Sequence, residues 1–400
     1  MLTGPEGNSN TSVIDETFYN EIPDCVQLFR TPQIPINSAS KLQFYKKVLG
    51  RDLKSELWAK EVEALGEKIL IEQKIDLIFV TMSPFQCAKS AAALSKKFNV
   101  PWVADLRDPW ALDETRVYTS SVHRFLDICK MRKDLKSADM IIMNTPEAQK
   151  CVREKFGWHN KNIRSLTNGF DVEDFISQKD HTRNEKFTIV HTGGLHTKTG
   201  LEIIQKKGLY FLLGKLDINV EILTRSHYYL IKSLEQLVEK RPDLASMIKV
   251  IFAGKANDAD LEIATLSKIS NCIEFRNYVS HNESVDMLLG ADLLFLPMHD
   301  LPDWRRSTIV PGKTYEYMAA GKPILAAVPN GDAKDFLAEC GTALICGPKN
   351  TEEMQEKIEK SFDSWVKNIT PQQKQESYVC LFSRKHLTEK LSSLFDEMIA

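Results

Sequence analysis

The sequence predicts an α/β protein with two domains, each built around a parallel sheet. Short apolar segments alternate along most of the chain with segments of helical hydrophobic spacing, and this alternation is typical of parallel strands joined by helical crossovers. A polar stretch at residues 177–186 separates two such series, and 400 residues are enough for two domains of ordinary size. We therefore expect two domains that face each other across a cleft.

The predicted elements follow this alternation in order. In the first domain, residues 1–176, the strand candidates are residues 75–81, 100–106, 138–145 and 162–171. In the second domain, residues 187–375, they are residues 187–194, 248–255, 272–279, 291–298, 322–329 and 342–348. Residues 376–400 are predicted to form a C-terminal amphipathic helix, because Leu387, Leu391, Leu394 and Met398 recur at helical spacing. Both domains are expected to be Rossmann-like.

Composition narrows the class of protein. The net charge of −2 gives no support to a nucleic-acid partner, and no apolar run approaches the roughly 18 to 20 residues that span a bilayer. The eight cysteines are scattered and form no C-x-x-C pair, so neither a disulfide framework nor a zinc site is expected. A cytoplasmic protein with reduced thiols is the expectation, and the sequence shows no evident amphipathic membrane anchor.

One stretch, "PGKTYEYMAAGKPIL" at residues 311–325, combines a lysine and a glutamate near the start of a short helix. A helix over Gly312–Ala320 places Tyr315 and Met318 on one side and the charged pair Lys313 and Glu316 on the other. A helix N-terminus with a lysine can hold a phosphate, and a carboxylate one turn later can accept hydrogen bonds from a diol. The pattern describes a site for a nucleoside diphosphate, and a solvated surface ion pair is the open alternative.

This stretch resembles the donor-site motif of the glycosyltransferase family 4-like enzymes (glycosyl transferases group 1), which have the GT-B fold. Further fragments resemble the same family in the same order: "PWVADLRDPW" (101–110), "SADMIIMNTPE" (137–147), "LTNGFDVEDF" (166–175), "VHTGGLHTKTG" (190–200) and "IEFRNYVSHNES" (273–284). The resemblance implies a hexosyltransferase-type enzyme that moves a sugar from a UDP-, GDP- or dTDP-linked donor to a glycan or lipid-linked acceptor. It also implies retention of anomeric configuration, no metal or other cofactor, and polysaccharide biosynthesis at the inner face of the membrane through peripheral contact.

The resemblance assigns a donor-binding set to the second domain. Its members are Gly193, Gly194, Lys255, Tyr278, Val279, Gly312, Lys313 and Glu316. Glu316 would bind the donor ribose, while Lys313 and the Gly312 backbone would hold the diphosphate. The Gly193–Gly194 turn would let the backbone approach the phosphates, with a plain strand-to-helix turn as the alternative. Further candidate cations are Lys198, Arg305 and Arg306, for which a solvated surface position is an equally open interpretation.

The acceptor side is expected in the first domain, at the ends of its strands. The candidates there are Ser83, Asp105, Arg107, Asp108 and Asn144, and the predicted catalytic set is Lys313, Glu316 and Asp108. Ligands bind at the carboxyl ends of parallel strands, which is where "DLRDPW" lies. The alternative for this motif is a buried arginine–aspartate network that ties loops together.

Two departures from the family pattern qualify the resemblance. Related enzymes have a second glutamate eight positions before Glu316, whereas this chain has Thr308 there, so the contact to the transferred sugar is absent or comes from backbone amides at 309–312. "MLTGPEGNSN" is interpreted as the end of the second strand and its loop, so the N-terminal domain is expected to lack its first strand and helix. The alternatives to a sugar-transferring enzyme are a non-catalytic nucleotide-sugar-binding remnant and a nucleotide-sugar epimerase of the same fold.

Overall fold

The computed structural model describes residues 1–5, 22–34, 52–176, 183–217 and 219–399. Its strands are β1 (Leu2–Thr3), β2 (Phe29–Arg30), β3 (Ile78–Met82), β4 (Trp102–Leu106), β5 (Met140–Met143), β6 (Ile163–Ser165), β7 (Phe187–Thr192), β8 (Ile248–Ala253), β9 (Ile273–Arg276), β10 (Leu293–Pro297), β11 (Ile324–Ala327) and β12 (Ala343–Cys346). Each predicted strand coincides with one of β3–β12, while the hydrophobic pattern did not reveal the two-residue strand β2.

Helices connect most of these strands. They are α1 (Leu53–Glu72), α2 (Cys87–Phe98), α3 (Ser121–Leu135), α4 (Pro146–Phe156), α5 (Thr197–Gln205), α6 (Lys207–Leu213), α7 (Tyr228–Lys240), α8 (Leu244–Met247), α9 (Asp258–Thr265), α10 (His281–Leu289), α11 (Gly312–Ala320), α12 (Asp332–Cys340), α13 (Thr351–Val366), α14 (Glu376–Val379) and α15 (Arg384–Ile399). The predicted α/β class with two parallel-sheet domains is confirmed. No described helix is long and apolar enough to cross a membrane, and all eight cysteines are free thiols.

Local sequence signals account for several helix ends. The Thr145 side chain caps α4 by accepting a hydrogen bond from the Ala148 N–H, and Pro146 follows in the first turn, where its missing N–H costs nothing. The same helix ends at Gly157, whose φ of 66° is the left-handed conformation that glycine adopts readily. These signals direct the chain from the carboxyl end of β5 into a helix without an intervening loop.

The N-terminal domain is built on a four-stranded parallel sheet in the order β3-β4-β5-β6, while β1 and β2 pair with each other in parallel. Every residue of β4 and β5 is buried, as expected for parallel strands covered on both faces. The predicted loss of a first strand and helix stays a prediction, since residues 6–21 and 35–51 lie outside the described ranges. Most of the predicted linker, residues 177–182, also lies outside them.

The C-terminal domain contains a six-stranded parallel sheet in the order β12-β11-β10-β7-β8-β9. The chain runs from β7 outward to β9 and then returns to the other side of β7 to form β10. The crevice between β7 and β10 is therefore the topological switch point of the sheet, and ligands of open α/β sheets bind outside the carboxyl strand ends at such a point. Gly193 directly follows β7, so this turn lies at the switch point, where the fold leads us to expect a ligand.

The C-terminal helix α15 crosses back to the N-terminal domain. Leu387 belongs to a buried cluster with Val103 of β4 and with Met140 and Ile142 of β5, and the other predicted stripe residues pack against it. Phe395 of the same helix also stacks edge to face on Phe79, with ring centroids 5.2 Å apart. The structure thus has an amphipathic helix in this region, but it begins at Arg384 and is preceded by the separate short helix α14, and its apolar stripe covers the first domain's sheet.

Candidate functional site

Helix α11 begins at the switch point because its apolar side is held by the core. Tyr315, Tyr317 and Met318 are fully buried, and the Tyr317 hydroxyl accepts a hydrogen bond from the Thr192 N–H at 3.1 Å. The helix ends at Gly321, which has a positive φ of 67°. The predicted helix bounds are confirmed residue for residue, and the first turn of α11 lies beside the end of β7.

Lys313 lies directly over the glycine turn. Gly193 has a φ of 105°, and a Cβ placed on it would lie 1.8 Å from the Lys313 Nζ atom. Gly254, after β8, is also confined, since a Cβ placed on it would lie 2.8 Å from the Gly193 carbonyl oxygen. Only glycine leaves room for the lysine at residue 193, so the ammonium group sits against bare backbone.

Two cations, Lys313 and Arg225, lie close together without a direct ion-pair partner, and we call this pair the cation corner. Burial and the nearby Arg225 guanidinium lower the pKa of Lys313 to about 8, against an opposing effect of Glu316. Burial likewise lowers the pKa of Arg225 and, together with Arg225, lowers the pKa of His196 to about 4. Within the described ranges, neither the Lys313 ammonium nor the Arg225 guanidinium forms a hydrogen bond or ion pair. The corner is thus suited to bind an anion.

Glu316 lies one turn further along α11 and faces the groove between the domains. Together with Gly312 it lines a cavity of about 350 Å³, to which Arg107, Asn168 and Arg384 contribute from the opposite side. Burial raises the pKa of the Glu316 carboxyl, although nearby basic groups oppose the shift. A carboxylate that is partly desolvated and open to a cavity can accept hydrogen bonds from a ligand.

Arg107 is fixed by a network within the first domain. Its guanidinium binds both carboxylate oxygens of Asp105, at 2.8 and 2.6 Å, and donates to the Thr167 carbonyl at 3.3 Å and the Asn168 side chain at 3.4 Å. The Asn144 amide in turn donates to the Arg107 carbonyl at 2.6 Å. Asp105 is only 2% exposed. Asp105 and Asn144 therefore hold Arg107 in place beside the cavity. This is the buried arginine–aspartate network that was the alternative interpretation of the "DLRDPW" motif.

Asp108 faces the cleft from the first domain. Its side chain is exposed, yet partial burial and the neighbouring Asp113 carboxylate raise its pKa, while Arg225 lowers it. The structure thus brings Asp108 close to the cation corner of the other domain. A carboxyl with a raised pKa is a better proton acceptor than an ordinary aspartate.

Other predicted donor-site residues lie at the edge of this region. Lys255 and Gly194 are exposed loop residues, and a Cβ on Gly194 would meet no atom within 4 Å. Tyr278 is 57% exposed, and it precedes α10 together with the half-buried Val279. The first residue of α10, His281, is close enough to lower the pKa of Glu316, so this loop borders the cavity.

The remaining candidates lie elsewhere. Ser83 lines a separate cavity of about 550 Å³ in the first domain, together with Trp110 and Lys130. Arg305 forms an ion pair with Asp217 at 2.9 Å, and Arg306 forms one with Glu147 of the first domain at 2.8 Å. Lys198 is exposed on α5. These three basic residues are thus either engaged in ion pairs or solvated.

Solved structures resemble the whole chain. HepE of Anabaena, in complex with UDP, is 15% identical with a TM-score of 0.61, over 96% of this chain and 89% of that one. Sucrose-phosphate synthase of Thermosynechococcus elongatus is 13% identical with a TM-score of 0.61, over 94% and 86%. α,α-Trehalose 6-phosphate synthase of Burkholderia multivorans is 11% identical with a TM-score of 0.56, over 90% and 79%. At these identities the likeness establishes the fold, which is GT-B.

A known protein family matches part of the C-terminal half of the sequence. Residues 219–364 match the family described as Glycosyl transferases group 1. This match lies within the C-terminal domain. No curated protein matches the sequence. The matched range includes the whole of α11 and Arg225, so Lys313, Arg225 and Glu316 all lie in the part of the chain that resembles this family.

Thr308, which stands in place of the family's first motif glutamate, contacts a glutamate of the other domain. Glu114 accepts hydrogen bonds from the Thr308 N–H at 3.0 Å and the Ser307 hydroxyl at 2.7 Å, and its second oxygen bonds the Thr308 hydroxyl. His299 Nε2 lies 3.2 Å away. A carboxylate is thus present beside Thr308, but it is buried and occupied by protein groups.

Sequence reasoning missed Arg225 and Glu114. Arg225 lies in an irregular segment between α6 and α7, where no strand end or motif marked it. Glu114 lies four residues after the end of the recognised "DLRDPW" motif, and its partners are far away in sequence. No local pattern identifies either residue. Arg225 meets Lys313 only when the C-terminal domain folds, and Glu114 meets Thr308 only when the two domains come together.

Proposed function

We propose that this protein transfers a sugar from a nucleotide-sugar donor to a glycan or lipid-linked acceptor, and that UDP is the donor nucleotide to test first. One observation carries the proposal. Two half-buried cations without an ion-pair partner, Lys313 and Arg225, lie at the switch point of the sheet, and the cavity-facing Glu316 lies one helical turn after Lys313. This arrangement is suited to a diphosphate beside a ribose, and the group 1 match and the UDP bound by HepE support it.

The proposed donor pose follows from charge. The diphosphate lies against the Gly193 backbone and the first turn of α11, where unpaired N–H groups and the helix dipole favour an anion. Lys313 and Arg225 neutralise it, Glu316 accepts hydrogen bonds from the ribose hydroxyls, and the base extends toward Tyr278 and Val279. The Ile309 N–H is bound to the Ser307 hydroxyl oxygen, so the N–H groups of Val310 and Gly312 replace the missing glutamate contact to the sugar.

The proposed reaction breaks the bond between the anomeric carbon and the phosphate oxygen and forms one to the acceptor oxygen on the same face of the sugar. Negative charge grows on the leaving diphosphate, and fixed cations stabilise that charge most when the site excludes water. Lys313 and Arg225 are placed to do so without a metal ion. The acceptor hydroxyl proton passes to Asp108, on the opposite side of the cleft.

Calorimetry with UDP, GDP and dTDP, followed by assays with the corresponding sugar donors, tests the proposal. Nucleotide binding together with slow donor hydrolysis or transfer to an added acceptor is the expected result. Binding without turnover would instead favour the nucleotide-sugar-binding remnant, and interconversion of the donor sugar would favour an epimerase. If none of the three nucleotides binds, the proposed donor site is wrong.

Replacement of Glu316 by alanine is expected to weaken UDP binding by about 1.5 to 3 kcal/mol, the range for hydrogen bonds to a charged group. Isothermal titration calorimetry measures this directly. Glu339→Ala, which removes an exposed carboxylate from α12, is the matched control and should leave UDP affinity unchanged. Equal affinities for the Glu316 variant and the wild type would remove the ribose contact from the proposal.

UDP affinity is expected to fall as the pH rises through about 8. In the free protein the Lys313 ammonium has its pKa lowered to about 8, so above this pH the anion must bind together with a proton. Calorimetry in two buffers of different ionisation enthalpy should detect proton uptake between pH 8 and 9. The Lys313→Met variant should show neither the uptake nor the decline, and a wild-type affinity that is flat across this range would contradict the assignment.

A further inference from the structure

The segment between β10 and α11 is held by the first domain. Every polar group of Thr308 bonds to that domain. Its N–H donates to the Glu114 carboxylate at 3.0 Å, its hydroxyl donates to the same carboxylate, and its carbonyl accepts a hydrogen bond from the Thr145 hydroxyl at 3.0 Å. Thr308 and Thr145 are both buried, so these bonds are shielded from water. Thr308 therefore offers no free polar group to a ligand.

A chain of hydrogen bonds extends the effect of Glu114 along this segment. The Ser307 hydroxyl donates to the Glu114 carboxylate at 2.7 Å and accepts a hydrogen bond from the Ile309 N–H at 3.2 Å. On its other side, Ser307 packs against Gly331, where a Cβ would lie 2.8 Å from the Ser307 carbonyl oxygen. One carboxylate of the first domain thus orients three consecutive residues of the second.

The Glu114 carboxylate is fully occupied by protein groups. Its side chain is 1% exposed, and the fully buried His299 lies beside it, with Nε2 at 3.2 Å. Together with the hydroxyl and N–H groups of Ser307 and Thr308, this ring nitrogen uses the hydrogen-bonding capacity of both carboxylate oxygens. Glu114 can therefore influence a ligand only through the residues that it holds.

The held segment leads directly into the proposed donor site. Val310 and Gly312 follow it, and Lys313 lies in the first turn of α11. Within the described ranges, neither the Val310 N–H nor the Gly312 N–H has a hydrogen-bond partner, so both can donate to a ligand. The directions of these N–H groups depend on the backbone just before them, which Glu114 and Thr145 hold from the other domain.

We propose that Glu114 is a positioning residue for the transferred sugar. From the first domain it orients the backbone N–H groups of the second domain that meet the sugar, and such preorganised donors act without reorganisation during the reaction. This inference rests on the proposed function. It goes further because it makes the sugar part of the donor site depend on the contact between domains, whereas Lys313, Arg225 and Glu316 bind the nucleotide without Glu114.

Donor turnover and UDP calorimetry with the full chain test the inference. The donor is whichever of UDP-glucose, UDP-galactose and UDP-N-acetylglucosamine the wild type hydrolyses fastest. Glu114→Ala should lower kcat per folded molecule by about 100-fold, the effect of a misplacement of about 1 Å in a site. Glu114→Gln keeps one acceptor oxygen and should lose only about tenfold. Both variants should bind UDP within about twofold of the wild-type affinity, with unchanged stoichiometry.

Leu237→Ala is the control for a simple loss of stability. Leu237 is 2% exposed in a core cluster of the second domain, so its truncation should destabilise the fold without touching residues 307–312. This variant should keep wild-type turnover per folded molecule, with the folded fraction measured by circular dichroism.

Two outcomes would overturn the inference alone. One is wild-type turnover in both Glu114 variants, and the other is a loss of UDP affinity that parallels the loss of turnover. A wild type that binds UDP and turns over donor, together with either outcome, leaves the proposed function intact. A wild type that neither binds UDP nor turns over any donor would overturn the proposed function and this inference with it.

Discussion

Replacement of Lys313 by methionine is expected to reduce donor turnover by about 100- to 1,000-fold while leaving the folded state at least as stable. The lysine is placed to meet the charge that develops on the leaving diphosphate, and loss of one such contact in a preorganised site has an effect of this size. Its pKa, lowered to about 8, shows that the protein disfavours the ammonium form in the absence of an anion. Methionine matches the apolar stem of lysine and relieves this burial cost.

Initial rates of donor hydrolysis at saturating donor, with urea unfolding of the same samples, separate the two effects. Lys96→Met is the matched control, because Lys96 is an exposed lysine on α2 of the other domain. The control should keep nearly full turnover. A Lys313→Met enzyme with wild-type turnover would exclude this lysine as the leaving-group cation, and a large loss of unfolding free energy would point to a structural role instead.

Replacement of Glu114 by alanine is expected to lower the free energy of unfolding by roughly 3 to 5 kcal/mol, the range for removal of one partner from a buried charged network. The side chain is 1% exposed, and its loss would leave Ser307, Thr308 and His299 without their shared acceptor. These three residues belong to the other domain, so the variant should also loosen the contact between domains. Urea unfolding at pH 7 measures the difference.

The difference in unfolding free energy between the wild type and Glu114→Ala should depend on pH, and this dependence identifies the charged carboxylate as its cause. Burial alone would raise the pKa of Glu114, but hydrogen bonds from His299, Thr308 and Ser307 lower it to about 2, below the value near 4.3 of an unfolded glutamate. The unfolded chain therefore binds the proton first as the pH falls. The stabilisation is complete above about pH 4.5 and disappears as the pH falls toward 2.

Glu114→Gln is the matched variant, since the amide keeps the shape and one acceptor oxygen. It should lose less stability than Glu114→Ala, and its loss relative to the wild type should diminish as the pH falls below 4. Glu67→Ala, which breaks a surface ion pair with Lys97, should change stability by less than about 1 kcal/mol. Equal and pH-independent losses for the alanine and glutamine variants would contradict the role of the charge.

Local sequence signals were enough to predict the strands and the helix that carries Lys313 and Glu316. Hydrophobic period and turn signals are local, and every residue of β4, β5 and β7 is buried, which produces the continuous apolar runs that the prediction used. The bounds of α11 were predictable for the same reason, because Tyr315 and Met318 pack inward and Gly321 ends the helix. Periodicity also identified the C-terminal helix, although not the sheet that it covers.

Contacts between residues that are distant in sequence could not be predicted and are seen only in the folded structure. Arg225 comes to the cation corner, and Glu114 reaches Thr308, through contacts between segments more than 80 residues apart, and no local pattern encodes such separations. The exposure of Val122, Phe125 and Leu126 on α3 could not be predicted for a related reason: the hydrophobic spacing that marks a buried helix face also describes an exposed one. Propensity and periodicity are properties of neighbours along the chain, whereas charge pairing and exposure are set by neighbours in space.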